Sequence, residues 1–190
     1  MTIRRCGAIL LVLLVLLVTR GCGLLKRPKN QFWSLDTIPG TPRTVGGTPI
    51  GVDGVELPPA IDRRGITVRG ADNKIEERGT HQWASPLEEM VIHTLSFDLA
   101  SRLTDGMVVL PGQAKPAAMR SLYVTFEDLQ AGPDNVFVLD ARWVLTGTGA
   151  EELTGHERIT VNLASLDNAE IVKAMSDALG TLADRIVATL

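Results

Sequence analysis

The residue whose position most clearly suggests chemistry is Cys22, which directly follows Gly21 at the end of an apolar run. Arg4 and Arg5 precede this run, and residues 8–18 form an unbroken stretch of eleven apolar residues. Such a stretch is typical of secretory signal peptides, whereas a membrane-spanning helix needs about 20 apolar residues. A cysteine directly after the cleavage site favours lipoprotein processing, in which the thiol receives diacylglycerol and becomes the new N-terminus.

We therefore predict a lipoprotein signal peptide over residues 1–21, lipid attachment at Cys22 and a tether over residues 22–31. The second cysteine, Cys6, lies in the predicted signal, so the mature chain would carry one thiol and no internal disulfide. Arg20 stands where typical lipoprotein signals carry Ala or Ser. Ordinary secretion with a free thiol at Cys22 is therefore kept as an alternative.

The rest of the sequence holds no arrangement typical of catalysis, metal binding or phosphate binding. Residues 156–160, HERIT, begin like a zinc-protease motif but end in threonine and lie in a predicted strand. His81 and His93 have no cysteine or histidine at ligand spacing. Gly147 and Gly149 lack a third glycine and indicate a hairpin turn, not a phosphate loop. We predict no catalytic residue, no metal ligand and no cofactor.

Composition narrows the classes of protein further. Removing residues 1–21 lowers the basic residues from 19 to 16 against 22 acidic residues, a formal charge of −6. This acidic balance, without a basic patch, argues against nucleic-acid binding. The remaining length predicts one domain with an adequate core, over residues 32–190.

Two amphipathic helices are predicted. The first follows Ser85-Pro86, where a capping box is combined with a proline at the first helical position, and it ends at residues 104–106. Its apolar residues recur every four positions, at Leu87, Val91, Leu95, Leu99 and Leu103. The second helix is predicted over residues 167–189, with Gly180 as a weak point.

Several strands are predicted around these helices. Short strands are expected at residues 32–35, 50–57, 66–69, 73–83 and 107–110, with a loop over residues 37–47. Three alternating segments then predict an antiparallel meander, and the pattern places Trp143 in the core. The predicted fold is α+β, a mostly antiparallel sheet with two main helices packed on one face.

Five segments, taken in order, resemble one known family. They are FWSLDTIP, IGVDGVELPPAIDRRGITVR, HQWASPLEEMVIHTLSFDLASRL, VFVLDARWVL and AMSDALGTLADRIVATL. The chain is similar in these segments to the ABC-type transport auxiliary lipoproteins, also called the paraquat-inducible protein C (PqiC) family. The resemblance covers residues 32–190.

This resemblance implies a lipid-anchored accessory subunit of an intermembrane lipid transport system. Its expected partners are a substrate-binding protein with a mammalian-cell-entry (MCE) domain and the associated permease, and it would act by docking. Its expected location is the periplasmic face of the outer membrane, because Gly23 stands where an inner-membrane retention signal would have aspartate. The family carries no catalytic residues to transfer, and a homo-oligomer is left open.

Two other functions stay open on the sequence alone. One is a periplasmic hydrolase acting on the envelope, and the other is a structural envelope lipoprotein with no transport role. A buried carboxylate with a shifted pKa beside His81 would favour the enzyme. An exposed apolar patch on a smooth sheet would favour docking.

Overall fold

The computed structural model describes residues 29–190, in which four strands precede the first of two α-helices and four more strands precede the second. The strands are β1 (Gln31–Trp33), β2 (Ile50–Glu56), β3 (Gly65–Arg69), β4 (Ile75–Trp83), β5 (Val108–Val109), β6 (Arg120–Ala131), β7 (Val136–Thr146) and β8 (Leu153–Asn162). The helices are α1 (Leu87–Arg102) and α2 (Asn168–Ala188). Among these residues the strands join into one mixed sheet, which confirms the α+β class.

The three longest strands form the predicted meander. β6 pairs antiparallel with β7 from Ser121 to Ala131, and β7 pairs antiparallel with β8 along ten residue pairs. The apolar residues that alternate along these strands face the helices, and the polar residues between them face away. The period of two in the sequence therefore specified both the strands and their buried face.

The remaining strands join β6 in a way the sequence did not predict. β2 runs parallel to β6 along its first half, and β3 meets the end of the same edge at Val68 and Ala131. β3 and β4 form an antiparallel hairpin, while β1 adds parallel to β4 and β5 adds parallel to β2. The sheet is thus mixed, with its longest pairings antiparallel.

The helices occupy the predicted positions, but the start and end of α1 differ from the prediction. Pro86 is the N-cap with an extended backbone, and no side chain caps the helix, so the capping box predicted at Ser85 does not form. The helix ends at Arg102 because Leu103 is extended and forms a β-bridge with Arg43. Neither helix in residues 29–190 is both long and apolar enough to cross a membrane.

The core lies between the sheet and the two helices. Trp143 on β7 is 2% exposed, which confirms its prediction as a core residue. Its ring rests on Gly155 of β8, where an added Cβ atom would lie 2.5 Å from the indole. A glycine is needed at this position because the ring occupies the space of a side chain.

A segment between β1 and β2, here called the strap (residues 34–43), crosses both helices. Its backbone N–H groups donate to buried side chains: Asp36 to Ser176 Oγ at 3.1 Å and Ile38 to Asp98 Oδ1 at 2.7 Å. Arg102 Nη1 donates to the Ile38 carbonyl at 2.7 Å. The strap is not a strand, and these backbone groups are instead satisfied by hydrogen bonds with side chains of the helices.

Candidate docking surface

The predicted lipid site, Cys22, lies outside the described residues, as do the predicted signal peptide and most of the tether. The described chain begins at Lys29 and enters β1 two residues later, at an edge of the sheet. The attachment site therefore stays a prediction.

The three histidines do not converge on one site. His81 is half-buried, and its Nδ1 accepts a hydrogen bond from the Trp33 indole at 3.2 Å. His93 is exposed on α1 and stacks on Phe97 with ring centroids 4.5 Å apart. His156 lies on the sheet face that points away from the helices. Each ring thus has its own local partner.

The carboxyl group with the clearest raised pKa is not beside His81. Asp98 lies on α1 beneath the strap and is fully buried. Burial raises the pKa of Asp98 to about 6, although the Ile38 N–H and the nearby Arg102 oppose the shift. The feature that would have favoured an enzyme therefore falls on a residue that holds the strap in place.

The sheet face opposite the helices carries a ladder of charged side chains across β6, β7 and β8. Asp140 is 7% exposed, because His156 Nε2 lies 2.6 Å from its Oδ1 and Arg158 binds its Oδ2. Burial alone would raise the pKa of Asp140, but the hydrogen bonds from His156 and Arg158 outweigh it and lower that pKa. Arg142 Nε donates to Glu127 at 2.6 Å.

This ladder brings together a group that the sequence analysis missed. Glu127, Asp140 and His156 each place a potential metal-ligand atom within 4.8 Å of the others. Arg142 and Arg158 already neutralise the two carboxylates, and their charges oppose a bound cation. The signal in the sequence was the outward position of Asp140 and His156, but only the strand register showed that they meet.

An aromatic side chain stands next to this ladder. Tyr123 on β6 is 47% exposed, and its ring rests on Gly54 of β2, where a Cβ atom would lie 3.0 Å from Cδ1. On the other side, Val144 of β7 is paired with Tyr123 and half-buried. An exposed tyrosine on a sheet, bordered by polar groups, is typical of protein-binding surfaces.

A second polar cluster borders the tyrosine at a β-bulge in β2. Asp53 accepts hydrogen bonds from Lys115 Nζ at 2.6 Å and from Ser121 Oγ at 2.5 Å. Burial opposes ionisation of Asp53, but these two hydrogen bonds outweigh it and lower its pKa. We call the surface formed by the following residues the open face: Asp53, Tyr123, Thr125, Glu127, Arg142, Val144, His156 and Arg158.

Comparisons with known proteins agree with this architecture. The chain matches the family model of the ABC-type transport auxiliary lipoprotein component over residues 33–187. It is 26% identical over 141 residues to the intermembrane transport lipoprotein PqiC of Escherichia coli (strain K12), covering 73% of this chain and 74% of that protein. The same values hold for the protein of that name from Shigella flexneri.

Two solved structures share the fold. A crystal structure of an uncharacterized protein aligns with a TM-score of 0.70 at 19% identity, covering 85% of this chain and 98% of the other. Protein XCC0632 from Xanthomonas campestris aligns with a TM-score of 0.63 at 13% identity, covering 83% of this chain and 92% of the other. With the family match over nearly all of the described residues, the chain belongs to the ABC-type transport auxiliary lipoproteins, a family of transport-associated lipoproteins.

Proposed function

We propose that this chain is a lipid-anchored accessory subunit of an MCE-type intermembrane lipid transport system, acting by docking and not by catalysis. The observation that carries this proposal is the family match over residues 33–187, which includes β2 to β8, all of α1 and all but the last residue of α2. The similarity to intermembrane transport lipoproteins over 141 residues supports the same role.

Anchoring would depend on acylation of Cys22. Each buried methylene contributes about 0.8 kcal/mol, so several acyl chains, palmitate among them, give stable attachment. The basic tether residues would add only about 1 kcal/mol each at an anionic surface. With Gly23 after the cysteine, we place the protein on the periplasmic face of the outer membrane.

Docking would use the open face. Tyr123 offers a large apolar contact that costs little side-chain entropy, and the flanking ion pairs give a polar rim. The expected partners are the MCE-domain substrate-binding protein and, through it, the permease. A subunit held in this way would fix the position at which the transport route meets the membrane.

The anchor is tested by replacing Cys22 with alanine. We expect Cys22→Ala to release the protein from membranes without changing its circular dichroism spectrum. The intact mass of the wild-type protein should show acylation at an N-terminal Cys22. An unmodified Cys22, or a mature chain that retains residues 1–21, would contradict the anchoring proposal.

Docking is tested by Tyr123→Arg, with Ile75→Arg as the matched control. Ile75 on β4 is also exposed, at 39%, but lies outside the open face. We expect Tyr123→Arg to lose co-purification with the proposed MCE-domain partner, while Ile75→Arg retains it. If Tyr123→Arg binds its partner normally, the open face is not the docking surface.

A further inference from the structure

The most exposed large hydrophobic side chain among the described residues lies where the tether enters the domain. Phe32 on β1 is 60% exposed and lines a groove of about 380 Å³. Trp83, Pro86 and Leu87 form the apolar part of this groove, and the loop before β3 contributes Arg63. We call this feature, together with Arg64 and Asp62 on the same loop, the Phe32 groove.

Charge at the Phe32 groove is opposite in sign to the charge of the whole chain. Arg63 and Arg64 are exposed, and neither side chain has an ion-pair partner within residues 29–190. Asp62 offsets one of these positive charges. Lys29, which lies two residues before β1 in the chain, adds another positive charge. The full chain, in contrast, carries a formal charge of −3. Unpaired arginines next to an exposed aromatic ring complement an anionic lipid surface.

The tether keeps this groove near its attachment point. Phe32 is ten residues after Cys22, and ten residues span at most about 35 Å when fully extended. The intervening residues include Lys26 and Arg27, which extend the basic charge toward the attachment point.

From the position, chemistry and reach of these residues we propose that the Phe32 groove rests on the lipid bilayer. Phe32 enters the boundary between headgroups and acyl chains, and Arg63 and Arg64 bind lipid phosphates. This inference rests on the proposed acylation of Cys22. The bilayer contact removes the rotational freedom that the tether alone would leave, and so gives the open face a fixed orientation.

The test uses the full chain, processed and acylated in cells, then reconstituted into vesicles of phosphatidylethanolamine and phosphatidylglycerol. Acylation consumes the thiol of Cys22, so a cysteine introduced by Phe32→Cys is the one site for a nitroxide spin label. Tyr123→Cys is the matched control, because Tyr123 is also an exposed aromatic residue. Electron paramagnetic resonance then measures label accessibility to oxygen and to a water-soluble nickel chelate.

We expect the ratio of oxygen to nickel accessibility at position 32 to exceed that at position 123 severalfold. Adding Arg63→Gln and Arg64→Gln should lower the ratio at position 32. Equal aqueous accessibility at both positions overturns the inference, as does a label at position 32 that neither reagent reaches, since that indicates a protein segment in the groove. An unchanged ratio in the arginine variant overturns the phosphate contacts.

Vesicle flotation of the same samples separates this inference from the proposed anchor. A protein that fails to float with the vesicles contradicts acylation at Cys22. A protein that floats but carries a water-exposed label at position 32 overturns only the bilayer contact of the Phe32 groove.

Discussion

At the residue scale, Trp143 and Gly155 form a cross-strand pair in which the glycine makes room for the indole ring. Trp143→Ala should lower the free energy of unfolding by about 3–5 kcal/mol, because it leaves a large cavity. Gly155→Ala should lower it by about 1–3 kcal/mol, since the new Cβ atom would lie 2.5 Å from the ring. Denaturant unfolding measures both changes.

Two controls make this prediction specific. Gly79→Ala, where an added Cβ atom meets nothing within 4 Å, should leave the free energy of unfolding nearly unchanged. Combining Gly155→Ala with Trp143→Ala should cost less than the sum of the single changes, because the obstructing ring is gone. Additive costs in the double variant would show that the two residues do not contact each other.

Asp98 is the residue for which a pH effect on stability is expected. Its Oδ1 accepts the Ile38 N–H, while its Oδ2 has no hydrogen-bond partner among the described residues. Arg102 and Asp184 are the charged groups that influence its titration. Because the folded-state pKa of about 6 lies above the ordinary value of 3.8, the folded protein binds the proton more tightly than the unfolded chain.

The contribution of this carboxyl to stability is therefore complete below pH 3.8 and is lost as pH rises through about 6. Between about pH 4 and about pH 7, the free energy of unfolding of the wild type should fall by up to about 3 kcal/mol relative to that of Asp98→Asn. Urea unfolding at several pH values checks this difference. Parallel pH profiles for the two proteins would contradict it.

At the element scale, the strap joins β1, at one edge of the sheet, to both helices. Gly180, which the sequence marks as a weak point of α2, is where the strap comes closest: a Cβ atom there would lie 2.8 Å from Ile38 Cβ. Arg102, 2% exposed, binds Asp184 on α2 through Nε at 2.6 Å and Nη2 at 3.1 Å. Gly180 thus allows the strap to pack closely against α2, although glycine has a lower helix propensity than alanine.

The strap contact predicts that the effect of Gly180→Ala on the free energy of unfolding has opposite signs in the wild type and in an Ile38→Gly variant. In the wild type it should loosen the strap and speed hydrogen exchange at the amides of Ile38 and Gly40. In Ile38→Gly, which removes the obstructing Cβ atom, Gly180→Ala should stabilise the protein by up to about 1 kcal/mol through helix propensity. Stabilisation of the same size in both backgrounds would show that the strap does not limit position 180.

At the scale of the whole molecule, the exposed aromatic residues and the three histidines are spread over separate parts of the described structure. The tether enters at one sheet edge, the open face lies on the far side from the helices, and the three histidines lie apart. Within the described residues, the buried Asp98 accepts a hydrogen bond from the strap, and Asp140 binds His156 in the charged ladder.

We therefore expect the combined change of His81, His93 and His156 to alanine to leave transport-linked phenotypes intact, whereas Cys22→Ala impairs them. His156 is one of two partners of Asp140, and Arg158 continues to neutralise that carboxylate. Growth under envelope stress and membrane fractionation measure the outcome. Because His156 also lies on the open face, loss of function in the histidine variant would favour the envelope hydrolase only with folding, anchoring and co-purification with the partner all intact.

Much of the local structure could be predicted because periodicity records which face of an element is buried. Alternation identified β6, β7 and β8 and placed Trp143 inside, and four-residue spacing identified α1 and α2. The site was predicted less completely. Tyr123 was not singled out as a surface residue, and the ladder around Asp140 depends on strand register rather than on spacing within one strand.

The sequence by itself determined the classes of element, the buried faces and the lipid-site prediction at Cys22, because each depends on neighbouring residues. Only the tertiary structure decided that β2 and β3 share one edge of β6, that the strap binds Asp98 and crosses Gly180, and that Phe32 stands exposed beside Arg63. These features join residues far apart in the chain. Such pairings are selected by the packing of the whole domain, and no local pattern records them.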